Sequence, residues 1–167
     1  LDNSIPKADS FTSHFPGTVS SGSPYGGSSS SGTAMGGIVG YAYSSSIIGV
    51  CFSGTVVGGE RVGGIVGQIQ WADAGYSFKN CINKGKSVTN SSGSMTGGVC
   101  GFLQYDHGYV GNLINYGKVD GSSATGGVFG QATVGNGDKM VLTYMVNAGD
   151  VAGKDNVGGC VGFITGN

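Results

Sequence analysis

Charge is scarce in this sequence: eight Lys and Arg are scattered among nine Asp and Glu in 167 residues, giving a net charge of −1 with no cluster of either sign. A nucleic-acid-binding domain carries a basic patch or stripe, so that class is disfavoured. Long apolar runs are missing too. None approaches the roughly 18 residues of a membrane-spanning helix, and no charged-then-apolar leader opens the chain, so no membrane insertion is expected of this segment. A start at Leu1 suggests a processed or excised fragment, which leaves secretion open. Helical periodicity is absent beyond a turn or two, and an interior glycine costs a helix about 0.5–1 kcal/mol relative to Ala. With 36 glycines, helix is excluded almost everywhere.

Chemistry-bearing residues are equally sparse. The two histidines are His14, in a Ser-rich leader, and His107, in Tyr105-Asp106-His107-Gly108. An Asp beside a His can orient an imidazole for base catalysis, but no nucleophile in an elbow context accompanies it, and an exposed turn histidine is the expectation. Cysteines at 51, 81, 100 and 160 give no CxxC or HExxH spacing, so neither a metal nor a cofactor is expected. The carboxylates Asp73, Asp106, Asp120, Asp138, Asp150 and Asp155 approach one another only pairwise across any regular repeat, whereas a glycosidase or lyase needs converging ones.

What the sequence does contain is a repeat. A Gly-Gly-apolar-apolar-Gly block recurs as Gly36–Gly40, Gly63–Gly67, Gly97–Gly101, Gly126–Gly130 and Gly158–Gly162, at steps of 27, 34, 29 and 32 residues. Periods of this size mark solenoids and related arrays. Five copies without the Lys-Ser/Thr of a P-loop, and with no helix following, are not phosphate loops. A second block alternates with the first: Cys51-Phe52-Ser53-Gly54-Thr55-Val56, Cys81-Ile82-Asn83-Lys84-Gly85, Leu113-Ile114-Asn115-Tyr116-Gly117 and Met145-Val146-Asn147-Ala148-Gly149. Asn83, Asn115 and Asn147 fall 32 residues apart each time, which predicts that they stack on one another.

These observations predict an all-β fold, a β-solenoid or β-helix of about five coils with three short strands per coil. The strands expected are the Gly-Gly block, the apolar run before the second block, and the short segment ending at Val56, Val88, Val119 or Val151. Residues 1–35 read as a Ser/Gly-rich N-terminal segment with a degenerate first coil or cap, because Phe15-Pro16-Gly17-Thr18-Val19 matches Phe52-Ser53-Gly54-Thr55-Val56 at four of five positions. Residues 36–167 form the repeats. Alternation through the Gly-Gly block places Ile38, Ile65, Val99, Val128 and Cys160 inward, with Ile69 and Leu103. It leaves Val62, Val66, Cys100, Phe129, Tyr41, Gln68, Phe102, Gln131 and Phe163 on a mixed, partly covered face.

The blocks Val62-Gly-Gly-Ile-Val-Gly67, Cys81-Ile-Asn-Lys-Gly-Lys-Ser-Val88 and Asn156-Val-Gly-Gly-Cys-Val-Gly162 resemble the GLUG-type repeats of bacterial cell-surface and secreted proteins. The likeness covers about residues 36–167, with Ile, Val or Cys where that pattern has Leu. It implies a β-solenoid module of a larger extracellular or cell-surface protein, adhesin-like, acting as a stalk or binding domain without catalysis. It transfers no catalytic residue. The rival is a carbohydrate-active β-helix enzyme, a polysaccharide lyase or hydrolase. An ice-binding array is disfavoured because only Thr96 and Thr125 repeat in phase.

Two further expectations follow from the repeat. Cys51 and Cys81 occupy equivalent places in adjacent coils, and are expected to fill an inward apolar ladder as free thiols, a disulfide between them being the alternative. Cys100 and Cys160 should not pair. The return stretches 68–80, 102–112 and 131–144 vary most in length and carry Trp71, Tyr76, Tyr105, His107 and Tyr109. Insertions gather on one side of a repeat array, often the binding side, so these residues are the candidate contacts for a host or cell-surface glycan or protein, the alternative being that they cover strand edges and the outer apolar stripe.

Overall fold

The structure is a computed structural model that describes residues 18–20, 34–71, 75–85, 87–90, 93–105, 107–135 and 140–166. The first coil contains β1 (Thr18–Ser20), β2 (Ala34–Gly36), β3 (Val39–Tyr43), β4 (Ile47–Ile48) and β5 (Cys51–Phe52). The second has β6 (Thr55–Gly58), β7 (Arg61–Gly63), β8 (Val66–Gln70) and β9 (Ser77–Asn83). The third has β10 (Ser87–Asn90), β11 (Met95–Gly97), β12 (Cys100–Tyr105) and β13 (Tyr109–Asn115). The fourth has β14 (Lys118–Asp120), β15 (Ser123–Gly126), β16 (Phe129–Val134) and β17 (Leu142–Asn147). The last has β18 (Val151–Ala152), β19 (Asp155–Gly158) and β20 (Val161–Thr165). No helix occurs among the described residues.

Each strand pairs in parallel with its counterparts one coil away, so the strands form the walls β1-β6-β10-β14-β18, β2-β7-β11-β15-β19, β3-β8-β12-β16-β20 and β4-β9-β13-β17. These are the walls of a parallel β-solenoid. Three complete coils lie between a first coil whose β1–β2 link falls outside the described residues and a last coil that ends at β20. Thr18 and Val19 lie opposite Thr55 and Val56, in the register of the sequence match between the two segments.

The coil has four walls rather than the three expected, because the Gly-Gly block is a corner and not one strand. β7 ends at Gly63 and β8 starts at Val66. Alternation does not carry through such a turn, so Val62 and Val66, assigned to a partly covered face, are both fully buried, as are Cys100 and Phe129. Ile65, Val99 and Val128 are buried as expected, whereas Ile38 and Cys160, placed inward by the same alternation, are exposed and half-buried in the first and last coils. The corner demands glycine for lack of space. A Cβ on Gly37, Gly64, Gly98 or Gly127 would lie 2.5 Å from an atom of Phe52, Asn83, Asn115 or Asn147 respectively.

The asparagines stack as their spacing predicts. Asn83 Nδ2 donates to Asn115 Oδ1 and Asn115 Nδ2 to Asn147 Oδ1, both at 2.8 Å. Asn115 also accepts from the Gly117 N–H at 3.1 Å and donates to the Gly117 carbonyl at 2.8 Å, so a fully buried amide uses both ends on both neighbours. A second file crosses β9, β13 and β17, where Asn80, Asn112 and Tyr144 share a left-handed φ of 58°, 54° and 50°. There Asn112 Nδ2 donates to Asn80 Oδ1 at 2.9 Å. Asn enters that backbone region readily, whereas Tyr does not.

The interior beside these ladders is apolar. Ile69, Leu103 and Ala132 stack in one file, and Cys81, Leu113 and Met145 in another. Stacking therefore supplies what a single glycine-rich coil lacks, about 1.5–3 kcal/mol for each Val, Ile or Leu removed from water.

Candidate functional site

The register of Cys51 differs from the expectation. Cys51 lies opposite Ile82 and Phe52 opposite Asn83, so Cys81 instead belongs to the file of Leu113 and Met145. The two thiols enter different apolar clusters, Cys81 in the main core and Cys51 beside Ile82 and Ile114. All four cysteines are free. Burial pushes the Cys81 thiol up to about 12 and raises Cys51 and Cys100 as well. Thiols held protonated in this way pack as apolar groups and are poor nucleophiles.

The return-stretch aromatics separate into an interior group and a surface pair. Trp71 is fully buried, so the expectation that it meets a partner is corrected: it continues the inward alternation of Ile69 past the end of β8. Its indole N–H donates to the Ser45 carbonyl at 3.0 Å, and its ring lies 5.7 Å from Tyr105 and 6.4 Å from Tyr76, centroid to centroid. Tyr105 is also buried, its hydroxyl donating to the Gly108 carbonyl, while Tyr76 is half-buried. These three plug the corner where the third wall meets the fourth. His107 and Tyr109 are exposed, and Lys79 places its ammonium 5.7 Å from the Tyr109 ring centroid.

Of the carboxylates, Asp73, Asp106 and Asp138 lie outside the described residues, as does His14. Asp120 stands opposite Ala152 and Asp155 opposite Ser123, so neither stacks on another carboxylate. Among the described residues no three His, Cys, Asp or Glu side chains come together as a metal site would require.

A more continuous surface lies on the outside of the third wall. Ala42, Ile69, Leu103 and Ala132 are buried, so their strand neighbours point the other way. This makes two files: Tyr41, Gln68, Phe102, Gln131 and Phe163, and beside it Tyr43, Gln70, Gln104, Thr133 and Thr165. The side chains are already tied together. The Tyr41 hydroxyl donates to Gln70 Oε1 at 2.8 Å, Arg61 donates to Gln68 Oε1 at 2.9 Å, and Thr165 donates to Thr133 Oγ1 at 2.9 Å. The Arg61 guanidinium also lies 5.5 Å from the Phe102 ring centroid. Five strands at about 4.8 Å make this face roughly 19 Å long. It carries aromatic rings, amides and hydroxyls, and no side chain in the two files is charged. Sequence alternation placed the first file on a mixed face without marking it as a site; the signal was that the file holds only aromatic and amide side chains.

Comparison with protein-family models, with curated proteins and with solved structures found no match. The fold and the surface define the class: a repeat protein built as a parallel β-solenoid.

Proposed function

We propose that this chain is a non-catalytic repeat module, a stalk or adhesive domain of an extracellular or cell-surface protein of the bacterial kind that its GLUG-like blocks resemble. One observation carries the proposal. The residues that recur in phase, the Gly-Gly corners, Asn83, Asn115 and Asn147, and the left-handed Asn80 and Asn112 within β9 and β13, all serve contact between coils. The repeat is accounted for by stacking, which is what a spacer requires.

The outer face of the third wall supplies the adhesive part of the reading. A surface of Tyr, Phe, Gln and Thr whose one neighbouring charge, Arg61, is already bonded to Gln68 and lies over Phe102 suits a neutral glycan, whose apolar sugar faces stack on rings and whose hydroxyls bond to amides. The test is depletion of the protein from solution by insoluble neutral polysaccharides, with the paired substitutions Tyr41→Ala and Tyr43→Ala. Loss of two stacking contacts of about 1 kcal/mol each weakens binding roughly tenfold or more. New reducing ends or unsaturated sugars released from the same polysaccharides would instead favour the enzyme alternative, and unchanged binding by the double variant would remove this face from the proposal.

A further inference from the structure

The outer file of the third wall has a period of its own. In register across β3, β8, β12, β16 and β20 stand Tyr41, Gln68, Phe102, Gln131 and Phe163. A ring therefore occurs in the first, third and fifth coils and an amide in the second and fourth. The inward file on the same strands, Ala42, Ile69, Leu103, Ala132 and Ile164, shows no such two-coil period, so packing inside the coil does not impose it.

The end rings are more open to solvent than the amides between them. Tyr41 and Phe163 are 50% and 39% exposed, whereas Gln68 is 9% exposed and accepts from Arg61. Gln131 is half-buried, its amide donating to Thr133 Oγ1 at 3.2 Å. Phe102 is half-buried as well, with the Arg61 guanidinium on one side of its ring. Strands about 4.8 Å apart set neighbouring rings about 9.6 Å apart along the solenoid axis, and Tyr41 about 19 Å from Phe163.

We propose that this face binds an extended β-1,4-linked neutral polysaccharide lying along the solenoid axis, with every second sugar stacked on a ring. The inference rests on the glycan reading above and narrows it to one linkage class. In a chain joined through equatorial bonds at C1 and C4, each pyranose is turned over relative to its neighbour, so the same apolar face returns at every second sugar. Each sugar also advances such a chain by close to one strand spacing, about 4.8 Å. The period of the rings and the period of the glycan therefore coincide. Sugars one, three and five of a pentasaccharide lie on Tyr41, Phe102 and Phe163, and the two between them meet the amides of Gln68 and Gln131. An α-linked glucan bends at each axial bond and cannot lay successive sugars along a straight file.

The test measures depletion of the 167-residue protein from solution by insoluble β-1,4-glucan and β-1,4-mannan and, in parallel, by granular starch and an insoluble β-1,3-glucan. Soluble β-1,4-gluco-oligosaccharides of two to seven sugars then compete the bound protein off. The β-1,4-linked polymers retain the protein at least about tenfold more strongly than the others, and competition improves about fivefold from three sugars to five and levels off there. The exchange variant Gln131→Phe with Phe163→Gln keeps three rings but sets two of them one coil apart. It loses as much binding as Phe163→Ala does, at an unchanged urea midpoint. Equal retention on all four polymers, or an exchange variant that binds like the parent, overturns the linkage assignment and leaves the adhesive reading standing. Binding to none of them overturns both. Should the exchange lower the midpoint, the oligosaccharide series on the parent decides, and affinity that does not rise between three and five sugars overturns the proposal.

Discussion

Replacing Asn115 by Ala separates the ladder from the apolar core as a source of stability. The side chain is fully buried and makes four hydrogen bonds, at 2.8, 2.8, 2.8 and 3.1 Å. Removing it strands Asn83 Nδ2 and the N–H and C=O of Gly117, while Asn147 Oδ1 keeps its bond from the Gly149 N–H. An interior polar group left unpaired costs about 1–3 kcal/mol, so three of them cost about 3–4 kcal/mol even with water entering the space. That is a large share of the 5–15 kcal/mol typical of a whole domain. Asn147→Ala, at the open end, leaves its partners within reach of solvent and costs about 1 kcal/mol. Urea unfolding followed by the strand signal in circular dichroism gives both values, and hydrogen exchange at the Gly117 amide reports the local effect. If Asn115→Ala falls within about 0.5 kcal/mol of the parent, or costs no more than Asn147→Ala, the ladder is not what holds the coils together. Asn115→Asp adds a sign. A buried carboxyl titrates above its unfolded value near 3.9, so the variant is least destabilised below that pH and loses stability as pH rises through its folded pKa.

Three other outcomes follow. Thr96 and Thr125 lie in the file of Val62, fully buried, with hydroxyl oxygens that have no hydrogen-bond partner among the described residues, so Thr96→Val and Thr125→Val each raise stability by about 1 kcal/mol in urea unfolding; a loss would mean the hydroxyls are satisfied. Tyr144 holds a φ of 50° with a 61% exposed side chain, opposite Asn112, and Tyr144→Asn stabilises by about 1 kcal/mol, measured as a higher thermal midpoint; an unchanged midpoint would show that the left-handed residue carries no strain. The thiols of Cys81 and Cys100 are raised by burial above the ordinary 9.0, so their contribution is complete below pH 9 and is lost as pH climbs towards the folded value, about 12 for Cys81. The urea midpoint therefore falls from pH 8 to pH 10.5, and falls less in the Cys81→Ala, Cys100→Ala double variant; equal slopes would refute it.

How much of this was legible in the letters depended on which residue carried the register. The asparagines did: 32-residue steps at 83, 115 and 147 become side-chain amides 2.8 Å apart. Aligning the second block on cysteine failed, because Cys51 stacks on Ile82 and not Cys81. The distance to the following glycine was the better guide. Phe52, Asn83, Asn115 and Asn147 each stand two residues before Gly54, Gly85, Gly117 or Gly149, and that places Phe52 in the ladder. The corner was hidden for a different reason. A glycine reports nothing about which face it takes, so a strand and a turn through Gly63-Gly64 read alike until the valines on both sides prove buried. Trp71 was within reach, since the alternation that buries Ile69 continues two residues on. The outer face of Tyr41, Gln68, Phe102, Gln131 and Phe163 was visible as a file but not as a surface. Its continuity depends on strands from five coils lying in register.

The ladder also has a direction, and the direction distinguishes the two ends of the molecule. Each Nδ2 donates towards the C-terminal coil and each Oδ1 accepts from the N-terminal side, from Asn83 to Asn115 to Asn147. At the first coil an asparagine in the Phe52 position would continue it, but a phenyl ring stands there instead, fully buried, with its edge filling the space that Gly37 leaves open. The Oδ1 of Asn83 is then satisfied by the Gly85 N–H at 2.8 Å. An amide file has to stop without orphaning a buried donor, and a stop on the acceptor side is the less costly one, because an oxygen with one good bond is close to satisfied whereas a spare N–H is not. Phe52 therefore closes the ladder at the end where closure costs least.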